Sequence, residues 1–216
     1  MKDIITIDGP SGAGKSTVAR LLAQRLGYTY LDTGALYRAV AWKVKKENID
    51  TEDEKALEHI LQEIAITFKE GKIIINETDV SSEIRAPDIG ELSSILSAKP
   101  VVRRYLFTIQ REIGLRGRVV IEGRDIGSVI FPEAENKFFL DANPEERGRR
   151  RYNELKGKHL QASLEEIINS IRTRDERDST RQDSPLKRTD DMIYIDTTNL
   201  RVEEVISRII KALKTS

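Results

Sequence analysis

The chain has 216 residues, 36 lysines and arginines against 36 aspartates and glutamates, two histidines, 38% hydrophobic residues and no cysteine. That length favours one domain, or one domain with a smaller insert, and the missing cysteines exclude disulfides, thiolate metal sites and cysteine nucleophiles. With only His59 and His159, a two-histidine zinc site or a serine triad has little to draw on, and zero formal net charge argues against a dedicated duplex-DNA binder while leaving local clusters open.

Ile4 to Ile7 is a β-branched run ending at Asp8-Gly9-Pro10, and beyond the glycines Val18 to Leu26 carries apolar residues at helical spacing, which predicts strand, loop and helix. Tyr28 to Leu31 predicts a second strand, and Ala35 to Lys46 a helix with Asp32 or Thr33 near its N-cap. Residues 53–64 read as helix. The period then changes: Ala65 to Lys69 and Lys72 to Asn76 predict strands around a hairpin at Glu70-Gly71, so residues 65–85 read as a small β insert. Helices are expected over 88–98 and 101–115, broken by Pro100. Arg118 to Ile121 and Lys137 to Leu140 are short apolar runs of the buried parallel-strand kind. Asn143-Pro144-Glu145-Glu146 opens another helix, with proline at N1 and acids in the first turn. Leu164 to Asp178 predicts a further helix, Met192 to Ile195 a last strand and Val202 to Leu213 a closing amphipathic helix. Strands alternating with helices predict an α/β fold with a parallel sheet. No stretch approaches 18 apolar residues and the chain runs directly into its first strand, so a cytoplasmic protein without a membrane partner is expected. No long heptad or unclaimed apolar helix face stands out, which makes a monomer the default.

Gly9, Pro10, Ser11, Gly12, Ala13, Gly14, Lys15, Ser16 and Thr17 complete the pattern G-x-x-x-x-G-K-[ST] between a predicted strand and a predicted helix, the context an ATP-binding phosphate loop requires. The glycines let backbone N–H groups face a polyphosphate, and the helix N-terminus adds positive potential. Lys15 is positioned to bridge the β and γ phosphates and the Ser16 hydroxyl to ligate Mg²⁺. GTPases, ATPase motors and small-molecule kinases share this loop. No N-K-x-D or D-x-x-G element accompanies it, since Asn136-Lys137 runs into Phe138-Phe139, and a kinase of a small acceptor leads.

Such a kinase needs a second anion site to hold its acceptor in line with the γ-phosphate. Asp32-Thr33-Gly34-Ala35-Leu36-Tyr37-Arg38 places an arginine one turn into the second helix. Gly123-Arg124-Asp125-Ile126-Gly127 follows a predicted strand, with a glycine on each side of an Arg-Asp pair. Arg174, Asp178 and Arg181 share a helical face if the helix continues through Arg181, and Arg147, Arg149, Arg150 and Arg151 crowd one helix. The bland alternatives are a lone surface arginine at Arg38, a ladder of exposed ion pairs worth about 0.3–0.5 kcal/mol each at 174–181, and a solvated or nucleic-acid-binding face at 147–151.

Together G-P-S-G-A-G-K-S-T, D-T-G-A-L-Y-R, E-G-R-D-I-G, E-E-R-x-R-R-R and R-D-x-x-D-x-x-R-x-x-S-P-L, in this order, resemble the bacterial cytidylate kinases from Ile5 to Asp196-Thr197-Thr198. The resemblance implies a three-layer P-loop nucleoside monophosphate kinase fold, with a central parallel sheet flanked by helices, a small antiparallel β insert for the acceptor and a helical lid. It divides a single domain of residues 1–216 into a core of about 1–64, 86–143 and 179–216, an insert of about 65–85 and a lid of about 144–178. It implies ATP as donor, CMP or dCMP as acceptor, Mg²⁺ as cofactor and no nucleic-acid partner. By motif position Thr33 and Asp178 face the ribose with Arg174, while Arg38, Arg124 and Arg181 hold the acceptor phosphate. Ser94, Arg103 and Asp125 meet the cytosine edge, with Asp32, Gly34 and Gly123 in the flanking motifs. Lys15, Arg124, Arg147, Arg150 and Arg151 stabilise charge on the transferring phosphoryl group. The alternatives are a P-loop kinase of another acceptor, such as UMP or a small alcohol, and a nucleotide-regulated RNA-binding module.

Overall fold

The structure, a computed structural model, describes residues 1–69, 71–157 and 163–214. In chain order its elements are β1 (Ile4–Asp8), α1 (Lys15–Leu26), β2 (Thr29–Asp32), α2 (Thr33–Lys46), α3 (Glu54–Glu63), β3 (Ile66–Lys69), β4 (Lys72–Ile75), β5 (Thr78–Asp79), α4 (Pro87–Leu96), α5 (Pro100–Gly114), β6 (Val119–Gly123), β7 (Asn136–Asp141), α6 (Pro144–Gly157), α7 (Leu164–Thr180), β8 (Ile193–Asp196) and α8 (Val202–Ala212). The chain gathers into two units, Met1–Tyr30 with Arg118–Ser216, and Leu31–Gly117.

The first unit is built on a sheet of order β2-β6-β1-β7-β8, to which it contributes all of β1, β6, β7 and β8 and the first two residues of β2. β1 is buried at every position and lies parallel to β6 on one side and β7 on the other, and β7 lies parallel to β8. Near-continuous apolar strands follow from burial on both faces. Ile5, Ile7, Val120, Phe138 and Leu140 of the strands pack with Val18 and Leu22 of α1 and Val205, Ile206 and Ile209 of α8. α1 stops at Gly27, whose φ of 65° puts its N–H on the carbonyls of Ala23 and Gln24. α6 and α7 pack on each other, and at Gly148 a Cβ would come within 2.3 Å of Ile168, so only glycine permits their closeness there. Ser163 and Glu166 form a capping box at the start of α7.

In the second unit Asp32 caps α2 by accepting from the Ala35 N–H, and Asp53 caps α3 through Ala56, each at 3.0 Å. α2 packs on α4 and α3 on α5, around Leu36, Val40, Leu57, Ile60 and Leu106. Pro100 opens α5 at its first position, as its missing N–H allows. β3, β4 and β5 form an antiparallel sheet with Phe68 opposite Ile73 and Ile75 opposite Thr78.

Most expected elements are present within a residue or two. The second strand starts one residue later than expected, at Thr29. Glu70 of the expected hairpin, and His159 with residues 158–162 inside the expected lid, lie outside the described residues. A third strand, β5, was not anticipated: it returns through a tight turn at Asn76 and Glu77, both at positive φ. α7 does not continue through Arg181, whose ψ of 142° takes the backbone out of the helix.

Candidate active site

Strand register decides where the chemistry gathers. Asp8 pairs with Gly123 and Asp141 with Asp196, so β1, β6, β7 and β8 end on one side of the sheet and their following loops leave together. Gly9 begins the phosphate loop at φ 145°, and a Cβ there would stand 1.9 Å from the Leu140 carbonyl oxygen. The loop feeds α1 through Gly14 at φ 88°, so the first-turn amides of the helix face the place where a phosphate would sit. Lys15 is buried, and its Nζ donates to the Pro10 carbonyl at 2.7 Å. Burial first and the positive charge of Arg124 second push its ammonium down to about 7, against the opposing pull of Glu122. Ser16 and Thr17 are exposed on the same turn.

Asp8, at the end of β1, is wholly buried. Its two carboxylate oxygens accept the N–H groups of Ile126 at 2.9 Å and Gly127 at 2.7 Å, which ties the base of the phosphate loop to the turn after Arg124-Asp125. Burial lifts this carboxyl to about 7 despite the two donors. Glu122, buried at the end of β6, accepts from the Tyr30 hydroxyl at 2.7 Å.

The arginine-rich helix faces inward at two of its positions. Arg147 is buried, donates through Nε to Ala142 at 2.8 Å and through Nη1 to the Ser11 carbonyl at 2.9 Å, and pairs with Asp175. Arg150 reaches the Thr197 carbonyl at 2.6 Å and the Thr197 hydroxyl at 3.1 Å, and that hydroxyl lies 3.1 Å from the Ala13 carbonyl. Arg149 and Arg151 are exposed, Arg151 with Glu154 at 2.7 Å.

Beyond β6 a buried cluster of charge forms. Arg124 Nε donates to Asp178 at 2.9 Å, and Arg181, its side chain 4% exposed, lies 3.8 Å from Asp178 and 3.7 Å from Asp125. Burial resists charging Asp178, yet Arg124 and Arg174 outweigh it and hold the carboxyl below the ordinary range. Burial likewise works against the Arg124 guanidinium, and Asp178 with Glu122 and Asp175 together more than offset it. Arg181 keeps its place although it lies outside the helix, since its Nε donates to the Ser184 carbonyl at 2.8 Å.

The remaining expected residues belong to the second unit. Asp32 Oδ2 accepts from Arg85 at 3.0 Å and lies 3.9 Å from Arg38. Thr33 and Ser94 are buried. Arg103 donates to the Ser97 carbonyl at 3.1 Å and lies over the Tyr37 ring, while the Ser97 hydroxyl donates to the Ser94 carbonyl, which joins Ser94 and Arg103 through one turn. A Cβ on Gly34 would come within 3.0 Å of Asp32 Oδ1.

The family model for cytidylate kinase matches residues 5–215. The chain belongs to the cytidylate kinase family. A cytidylate kinase of Carboxydothermus hydrogenoformans is 48% identical over 213 residues, covering 97% of this chain and 96% of that one. One from Thermosipho melanesiensis is 48% identical over 210 residues, with 97% and 96% covered. A solved structure of an uncharacterised protein from Eubacterium ventriosum superposes with a TM-score of 0.56 over 99% of both chains at 15% identity, a likeness of fold alone.

Family membership does not by itself explain the side chains. Asp8, Asp175 and Thr197 carry the loops of this cytidylate kinase family member, and although all three fall in or beside the quoted motifs, the sequence assigns none of them a role. Their signals are faint: an acid at a strand end before Gly-Pro, an acid beside Arg174, and a hydroxyl after the last strand. The inward bonds of Arg147 and Arg150 leave the helix without the row of free cations an RNA-binding face needs. Among the described residues no group of three or more His, Cys, Asp or Glu side chains converges. A cation here would be held by the exposed Ser16 hydroxyl and by substrate oxygens, a hard-oxygen set with room for water that fits Mg²⁺. No described helix is long and apolar enough to cross a membrane.

Proposed function

We propose that the chain transfers the γ-phosphate of ATP to CMP or dCMP, giving ADP and CDP or dCDP, by direct in-line transfer. The observation that carries this is the pairing of Asp8 with Gly123, which sends a phosphate loop and a Gly-Arg-Asp loop out side by side from one end of the sheet. One suits a triphosphate donor. The other begins a buried Arg124–Asp178–Arg181 cluster suited to a phosphate-bearing acceptor.

The acceptor's phosphate oxygen is already anionic, so no general base is required and the scarcity of histidine is no obstacle. Lys15, Arg124, Arg147, Arg150 and Arg151 supply positive charge around the transferring group, and that charge is the main catalytic contribution. Arg124 and Arg181 hold the acceptor phosphate, Asp178 and Arg174 serve its ribose, and Asp125 accepts from the exocyclic amine of cytosine. Thr33, Arg38, Ser94 and Arg103 keep the parts that the resemblance implies. Mg²⁺, bound through Ser16 and the nucleotide's phosphates, would neutralise charge on the β and γ oxygens. The hairpin of α6 and α7 belongs to the proposed lid, whose closure excludes water and suppresses hydrolysis of ATP. The enzyme works as a monomer in the cytoplasm, in pyrimidine nucleotide metabolism.

The test is an acceptor panel in a coupled assay of ADP release. CMP and dCMP should support release far above the ATP-only background, and UMP less well. Equal rates with a small alcohol or with no acceptor at all would overturn the assignment.

A further inference from the structure

One residue of the phosphate loop is held on both sides by a single ion pair. The Ser11 N–H donates to Asp175 Oδ1 at 3.3 Å, the Ser11 carbonyl accepts from Arg147 Nη1 at 2.9 Å, and the same Nη1 pairs with the other oxygen of Asp175. Both backbone groups of one residue thus end on the two members of one charge pair, drawn from α6 and α7. The neighbouring peptide is confined as well. At Gly12, φ 79°, a Cβ would lie 3.0 Å from Arg147 Cβ and 3.2 Å from the Arg147 carbonyl oxygen, so the first turn of α6 presses on the loop.

We propose that Asp175 is a positioning residue for the donor nucleotide: acting through Ser11 and Arg147, it fixes the phosphate loop in the shape that receives a triphosphate. This rests on the loop's assignment to ATP given above and adds a residue to it. Two facts favour bracing over blocking. Ser11 lies three residues ahead of the N-cap Gly14, so Asp175 engages the shoulder of the loop and not the helix-start amides that receive phosphate. Arg147, whose side chain is 5% exposed, needs a counter-charge where it stands, and Asp175 supplies it. A loop whose peptide planes are fixed beforehand loses less conformational freedom when the nucleotide arrives. Without Asp175 the Ser11 peptide can rotate and Arg147 loses the partner that aims it, so the cost falls on donor binding.

The experiment is direct titration of ATP onto the full chain, with steady-state kinetics alongside, for wild type, Asp175→Asn, Asp175→Ala, Arg147→Ala and the double variant Asp175→Ala/Arg147→Ala. Asp175→Ala should weaken ATP binding about tenfold and raise KM for ATP in parallel, with KM for CMP within about twofold. Asp175→Asn, which keeps the volume and one acceptor oxygen, should fall between wild type and Asp175→Ala. The double variant should bind ATP no worse than the weaker of Asp175→Ala and Arg147→Ala, since the pair acts as one device. Equal rises in both KM values, or a lowered melting temperature with unchanged ATP affinity in the folded Asp175→Asn protein, would reduce Asp175 to a structural residue and overturn the proposal. Tighter ATP binding would overturn it too, by showing the carboxylate as an obstacle. ATP binding is read without an acceptor, so failure of CMP as substrate would appear in the wild-type kinetics and leave this comparison intact.

Discussion

The Nε of Arg124, on the loop after β6, donates to Oδ2 of Asp178, on α7, at 2.9 Å across 54 positions of chain. Arg181 lies on the other oxygen of the same carboxylate at 3.8 Å. Asp178 is therefore a buried counter-charge shared by Arg124 and Arg181, and removing it takes from Arg124 the carboxylate it donates to and from Arg181 one of its two carboxylate neighbours. Asp178→Ala should lower the unfolding free energy by about 3 kcal/mol in urea titration, and Asp178→Asn by less. The pH dependence has a definite sign. The folded carboxyl titrates below its ordinary 3.8, so its contribution stands in full above that value and is lost as pH falls beneath it. Asp178→Asn should accordingly lose less stability on acidification than wild type.

Asp8 runs the opposite way. A carboxyl lifted from 3.8 to about 7 by burial binds a proton more readily in the folded chain. Stability linked to it is greatest below the lower value, declines as pH rises across that window and is level above about 7. The decline amounts to at most one proton, about 1.4 kcal/mol per pH unit. Asp8→Asn should remove it, at the cost of one of the two bonds to Ile126 and Gly127. Denaturation of both proteins across the window decides the matter, and parallel stability profiles would be evidence against this role for Asp8.

Parts of this arrangement are legible in the sequence because backbone conformation dictates residue type. Gly9 must be glycine to pass the Leu140 carbonyl, and Asp32 announces the start of α2 because its carboxylate caps a helix N-terminus. The turn at Asn76 and Glu77 is not legible. Glutamate has no preference for a φ of 69°, and the conformation is held by Asn76, which accepts from the Ala65 N–H and donates to the Glu63 carbonyl. The arginine run shows the same limit. Its composition marks an anion site or a solvated face, and nothing local says that Arg147 turns to Ser11, 136 positions away, or Arg150 to Thr197. Side chains that bond to backbone carbonyls of distant loops leave no periodic trace.

Lys15 offers a readout that does not depend on the acceptor. Burial and Arg124 hold its ammonium near 7, so at a pH about one unit higher most of the nucleotide-free chain carries a neutral amine there. A bound polyphosphate restores the charge. ATP binding at that pH should take up close to one proton, measured by calorimetry in buffers of different ionisation enthalpy. Lys15→Ala should abolish the uptake, keep the fold and slow phosphoryl transfer by about a thousandfold or more. Proton uptake that persists in this variant would assign it to another group, and near-normal turnover would remove Lys15 from the donor site.

Asp125 carries the proposed choice of base. It is 4% exposed, with Arg181 3.7 Å from its Oδ1 as a fixed neighbour, and its carboxyl oxygens can accept from an amine. Cytosine offers that amine. Uracil presents a carbonyl at the same place, and two acceptors meeting in a buried site cost about 1–3 kcal/mol, a preference for CMP over UMP of roughly 5- to 150-fold in kcat/KM. Asp125→Ala should shrink this preference to a few-fold, chiefly by impairing CMP, while Arg181 retains Asp178 as its counter-charge. Arg181→Ala provides the contrast: it should raise KM for both pyrimidine acceptors together and leave KM for ATP nearly unchanged. Measured side by side, the two variants separate reading of the base from holding of the phosphate, and an unaltered CMP preference in Asp125→Ala would remove that carboxylate from base recognition.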